Sequence, residues 1–132
     1  MKNNSPAHDW VAYASEDLRL AEKILHEKGF LPHAIFHSHE SCEKYLKGLL
    51  IQDNGEIPKI HKLDVLTKDL PVSEKDQLDL MNLGGILDSL YRFSRYPGVN
   101  IDETLWTGEA KKAVQAALKA EKIIRRYLEE QQ

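Results

Sequence analysis

Apolar residues along the chain recur every three or four positions, the spacing that lines one face of an α-helix. Val11, Ala14, Leu18, Ala21 and Leu25 step in this way, and the helix-start residues Ser5, Pro6 and Asp9 precede or open the run, with Asp9 expected as the cap. Gly29 is expected to close this helix in a left-handed conformation. A second helix is predicted from Pro32 to Gln52. Its proline suits a first turn, Leu31, Ile35, Cys42, Leu46, Leu49 and Leu50 share one side, and Asn54-Gly55 stops it. The connector EIPKIHKLDVL re-enters a short helix between Lys62 and Asp69, which Pro71 ends.

Ser73 begins the next helix, with Leu80, Leu83, Leu87 and Leu90 as its buried side. Glu74 and Asp76 in its first turn favour the N-terminal dipole. Gly84-Gly85 in the middle weakens it by roughly 1 kcal/mol per residue relative to alanine, and reads as a kink or a close helix crossing. Tyr96-Pro97-Gly98 is a break. The last helix is predicted over Asp102 to Glu129, with a stripe of Ala113, Ala117, Ala120, Ile124 and Tyr127 that permits close approach to a neighbour. No segment alternates with the period of a strand. Four long helices and one short helix with short links predict an all-α, antiparallel up-and-down bundle. The length of 132 residues fits one domain over 1–132.

Composition narrows the function classes. Apolar content of 42% with 30% charged residues fits a soluble globular chain. A net charge of −3 gives no global field that would recruit nucleic acid or an anionic membrane, so any anion site must be local. The single cysteine, Cys42, excludes an intramolecular disulfide and a CxxC motif. MKNNSPAHDW lacks the apolar run of a signal peptide, and no stretch approaches the roughly 20 apolar residues of a membrane span. A cytoplasmic location is expected, with no membrane partner.

The chemistry concentrates in HAIFHSHE, which holds three of the six histidines. On a helical wheel His33, His37, Glu40 and Lys44 fall in one stripe with Lys47 beside it, whereas His39 turns toward the apolar arc. His33 and His37 form an i, i+4 pair that can chelate a metal. HExxH is absent, since position 34 is alanine, and Lys44 and Lys47 put positive charge beside Glu40. No metal and no cofactor are therefore expected, and His33 and His37 read as a solvated face. His39 and Glu43 are a polar pair on an inner side and need hydrogen bonds, to each other or to a neighbouring helix. They read as a structural pair or as the polar floor of a cleft. Arg95 beside Tyr96 can hold a phosphate and stack a base, or it can cap carbonyls or pair with Glu43.

Four segments, WVAYASEDLRLA (10–21), FHSHESCEKYLKGLL (36–50), PKIHKLDVL (58–66) and YRFSRYPG (91–98), together resemble the HEPN domain family, the higher eukaryotes and prokaryotes nucleotide-binding domain, in its small stand-alone prokaryotic form. The combination of EKxLK, HxL and RYP carries the match. The resemblance implies an all-α bundle, a homodimer, and a minimal nucleotidyltransferase partner in the manner of toxin–antitoxin pairs. Ribonuclease branches of the family use an arginine followed after four to six residues by a histidine. Here His61 is the last histidine, so neither Arg92 nor Arg95 has one after it, and Arg19 with His26 falls in the wrong element. Glu43, Lys44, Lys47, His61, Arg95 and Tyr96 match the family pattern. The expected function is a nucleotide- or RNA-binding module, with Lys44, Lys47 and Arg95 holding phosphate, Tyr96 stacking and His61 orienting. The alternatives are a metal-independent ribonuclease using His61 and Arg95, and a ligand-free scaffold.

Overall fold

The computed structural model describes residues 5–27, 29–56, 59–95 and 103–129. Their helices run in the order α1 (Pro6–Glu27), α2 (Leu31–Asn54), α3 (Leu63–Leu66) with a 3-10 turn over Thr67–Asp69, α4 (Glu74–Ser94) and α5 (Glu103–Glu129). This is the predicted bundle of four long helices and one short one, and the described residues contain no strand. None of these helices is long and apolar enough to cross a membrane.

The start signals act as expected, with one exchange of roles. Ser5, not Asp9, caps α1: its hydroxyl accepts the His8 amide at 3.1 Å, and Pro6 occupies the first turn. Ser73 caps α4 by accepting the Asp76 amide at 3.1 Å. Gly55 ends α2 in the left-handed region at φ 78°, where glycine carries no Cβ penalty. Among the described residues between α1 and α2, the left-handed one is Phe30, at φ 57°, rather than the expected Gly29.

α2 is the axis of the molecule. It packs on α1, α5, α4 and α3, so it is buried on several sides and its polar residues face neighbouring helices rather than water. The core joins Val11, Ala14 and Leu18 of α1 to Ile35, Tyr45, Leu46 and Leu49 of α2, Leu80 and Leu87 of α4, and Ala113, Ala117, Ala120 and Ile124 of α5. The alanines of α5 are buried against these neighbours, the side the stripe marks.

Helix α4 runs unbroken through the glycine pair. Gly84 marks a close crossing, against the connector rather than another long helix. A Cβ there would lie 2.9 Å from the Cβ of Leu63, whereas one at Gly85 would meet open space. The missing side chain lets α3 press onto α4. Gln77 ties the same junction by donating to the Thr67 and Lys68 carbonyls at 3.0 and 2.7 Å.

Candidate functional site

The connector pressed onto α4 creates a recess of about 510 Å³, lined by His39, Glu40 and Glu43 of α2, His61 and Lys62 of the connector, and Asp88, Tyr91 and Arg92 of α4. Its floor is a buried polar cluster. His39 is 3% exposed, and its Nε2 lies 2.8 Å from Asp88 Oδ1. Asp88 also accepts the backbone amides of Leu63 at 3.1 Å and Asp64 at 3.4 Å through Oδ2. It thereby caps α3 from another helix, where α3's own cap residue Lys62 supplies no side-chain bond. Because Asp88 is committed as an acceptor, Nε2 is the donating nitrogen of His39. In the neutral ring Nδ1 then carries the lone pair. That nitrogen is buried without a hydrogen-bond partner. The ring stacks on Tyr91 with centroids 4.3 Å apart.

Glu43 is the second hub. Its Oε2 accepts from Lys47 Nζ at 3.1 Å and lies 3.1 Å from His61 Nδ1. Lys47 is 4% exposed, with its ammonium 5.8 Å from the Trp10 ring centroid. His61 is anchored at one nitrogen, with its side chain 78% exposed. Glu40 is half-buried and makes no hydrogen bond or ion pair among the described residues. Burial first, and the neighbouring Glu43 charge second, push its carboxyl above the usual glutamate range. Burial pushes the Cys42 thiol, behind this cluster, up to about 12, so it is an inert core residue.

The structure divides the residues picked out in the sequence. Glu43, Lys47 and His61 meet in one cluster. His39 and Glu43 line the same recess, but His39 bonds Asp88 rather than Glu43. Arg95 is exposed beside the recess, donates to the Tyr91 hydroxyl at 3.2 Å and lies over that ring, 5.3 Å from its centroid, instead of pairing with Glu43. Lys44 turns to α1, where Asp17 accepts from it at 2.5 Å and also holds His37 at 2.9 Å. His37 is therefore part of an α1–α2 bridge, and only His33 is on an exposed face. Tyr96 lies outside the described residues. Sequence reasoning missed Asp88, Tyr91 and Lys62. Asp88 had a signal, as an acidic residue in register with Leu80 and Gly84 on the inner face of α4.

A second polar cluster lies between α1, α2 and α5. The fully buried Tyr45 donates to Glu121 Oε2 at 2.5 Å and accepts from Arg125 at 3.0 Å, while Arg19 donates to Glu121 Oε1 at 3.0 Å. Burial, then the Glu121 hydrogen bond, pushes the Tyr45 hydroxyl up to about 12.

The model of the HEPN domain matches residues 7–131. Among solved structures, TT1696 from Thermus thermophilus superposes with a TM-score of 0.74 at 26% identity, covering 96% of this chain and 99% of that one. ST0689, described as an archaeal HEPN homologue, gives 0.69 at 24% identity over 97% and 99%, a likeness of fold alone. No curated protein matches the chain. With a bundle of this topology and a family match over nearly its whole length, the chain belongs to the HEPN domain family.

Proposed function

We propose that this HEPN domain binds a nucleotide or an RNA end in the recess between α2, the connector and α4, and does so in company with a minimal nucleotidyltransferase. The observation that carries the reading is the recess itself: two exposed cations, Lys62 of the connector and Arg92 of α4, line it together with the Tyr91 ring and a buried polar floor. Arg92 forms no ion pair among the described residues, so its guanidinium is available to a phosphate. Arg95 on the Tyr91 ring extends that edge, and Tyr96 follows it in sequence. Lys47 supports the floor by holding Glu43, and Lys44 contributes from the α1 side only through Asp17.

The test is thermal unfolding against nucleotides and short RNAs. A ligand at 100 times its Kd should stabilise the fold by about 2.7 kcal/mol, and Arg92→Ala should remove most of that gain. If no nucleotide or RNA moves the midpoint, the domain is a scaffold and this reading is lost. A ribonuclease reading rests on His61, held by Glu43 with its other edge in solvent, opposite the arginines of α4. Cleavage of labelled RNA in chelator that disappears in His61→Ala would establish it.

The homodimer belongs to the same proposal. A groove of about 850 Å³ between α4 and α5, where Met81, Leu83 and Ile86 lie among polar residues such as Asn82, Glu109 and Lys112, offers a mixed surface to a second copy. Sedimentation should show a species of twice the 15.1 kDa chain mass.

A further inference from the structure

We propose that His39, Glu40 and Glu43 form a site for one divalent transition ion of the zinc class at the floor of the recess. One ring nitrogen of His39 and one carboxylate oxygen of each glutamate lie within 4.8 Å of one another. An acidic pair alone would not mark a site. The independent observation is His39: Asp88 takes Nε2, and Nδ1, on a side chain only 3% exposed, has no partner. A buried nitrogen left without a hydrogen bond has lost its hydration without a replacement, and a metal would satisfy it. An imidazole whose other nitrogen donates to a carboxylate is also the arrangement that orients and strengthens a histidine ligand.

Charge points the same way. Three carboxylates, Glu40, Glu43 and Asp88, stand against one buried ammonium, Lys47, so two negative charges lack a buried counterpart. A divalent ion would neutralise them. The groups facing the site are Lys47 on α2, His61 and Lys62 on the connector, and Asp88, Tyr91 and Arg92 on α4. Lys47 and His61 both engage Oε2 of Glu43, which leaves Oε1 for the ion. Lys44, the other cation near Glu40 in sequence, is committed to Asp17. Mixed nitrogen and oxygen donors suit zinc and its neighbours rather than magnesium or calcium, which take oxygen. Three protein ligands would leave the ion able to take a further ligand, such as a phosphate oxygen, in a recess that Lys62 and Arg92 also line.

The experiment is calorimetric titration of the metal-stripped chain with Zn²⁺, with Mg²⁺ as comparison and no nucleotide present, so that this proposal and the nucleotide reading can fail separately. One Zn²⁺ per chain is expected, at least tenfold tighter than Mg²⁺. Glu40→Gln, which breaks no hydrogen bond, should weaken Zn²⁺ at least tenfold without lowering the thermal midpoint in EDTA. The double variant His33→Ala, His37→Ala should bind within twofold of the parent chain. Absence of saturable Zn²⁺ binding, unchanged affinity in Glu40→Gln, or loss in the double variant would each overturn the proposal.

Discussion

The two buried polar clusters on α2 are built from similar residues and differ in completeness. In the α1–α2–α5 cluster, Tyr45, Glu121, Arg125 and Arg19 all find partners within the protein, and no buried side-chain atom there lacks one. In the α2–connector–α4 cluster, His39 keeps an unpartnered nitrogen and Glu40 has no partner among the described residues. The first closes on itself, with its arginines reaching water; the second forms the floor of a recess. A satisfied network fixes how helices sit, whereas an unsatisfied one beside a cavity asks for something from outside.

The largest expected effect comes from removing the hub of the open cluster. Asp88→Ala strands the His39 ring and two backbone amides, and should cost about 3 to 5 kcal/mol of stability in urea denaturation, the range seen when one partner of a buried pair is lost. A loss below about 1 kcal/mol would mean that the cap on α3 is not holding the connector. Next in size is Gly84→Ala, whose added methyl meets Leu63. Overpacking there should cost about 1–3 kcal/mol and weaken any ligand of the recess, because the connector carries His61 and Lys62. Gly85→Ala beside it should instead stabilise by up to about 1 kcal/mol, which makes the pair a sharp control.

The closed cluster should respond differently. Tyr45→Phe removes one hydroxyl between Glu121 and Arg125 and should cost about 1–2 kcal/mol while leaving nucleotide and Zn²⁺ binding unchanged. If binding falls as well, the two clusters are coupled through α2 and the contrast between them fails.

The smallest effect is expected at the far end of the bundle. The Tyr127 hydroxyl, then the nearby Arg126 charge, hold the Asp76 carboxyl below the usual aspartate range despite the opposing cost of burial. A folded value below the unfolded one, about 3.9, stabilises the fold above that pH and is lost as pH falls through the folded value. Tyr127→Phe should flatten this part of the acid unfolding curve, so that the difference from the parent chain shrinks as pH falls.

The bundle was legible because helical periodicity and caps are local signals. Ser73, Gly55 and the alanine stripe of α5 all act as their neighbours in sequence suggest. The site was legible only in part. Glu43, Lys47 and His61 carry the family pattern and do converge. Asp88 is 49 residues from His39, and no local rule links them. Lys44 shows the opposite failure: the wheel placed it correctly beside Glu40, but its long chain turned toward Asp17 on α1. The choice of Ser5 over Asp9 as cap shows how adjacent start signals compete within a single turn.

The central position of α2 has a consequence for how such a chain can change. One helix supplies both the middle of the core and three residues of the recess floor, so new specificity cannot arise there without endangering the fold. Lys62, Arg92 and Arg95 stand on the rim, where exchange disturbs little packing. Descendants of this chain are free to acquire new ligands along that edge while inheriting the floor intact.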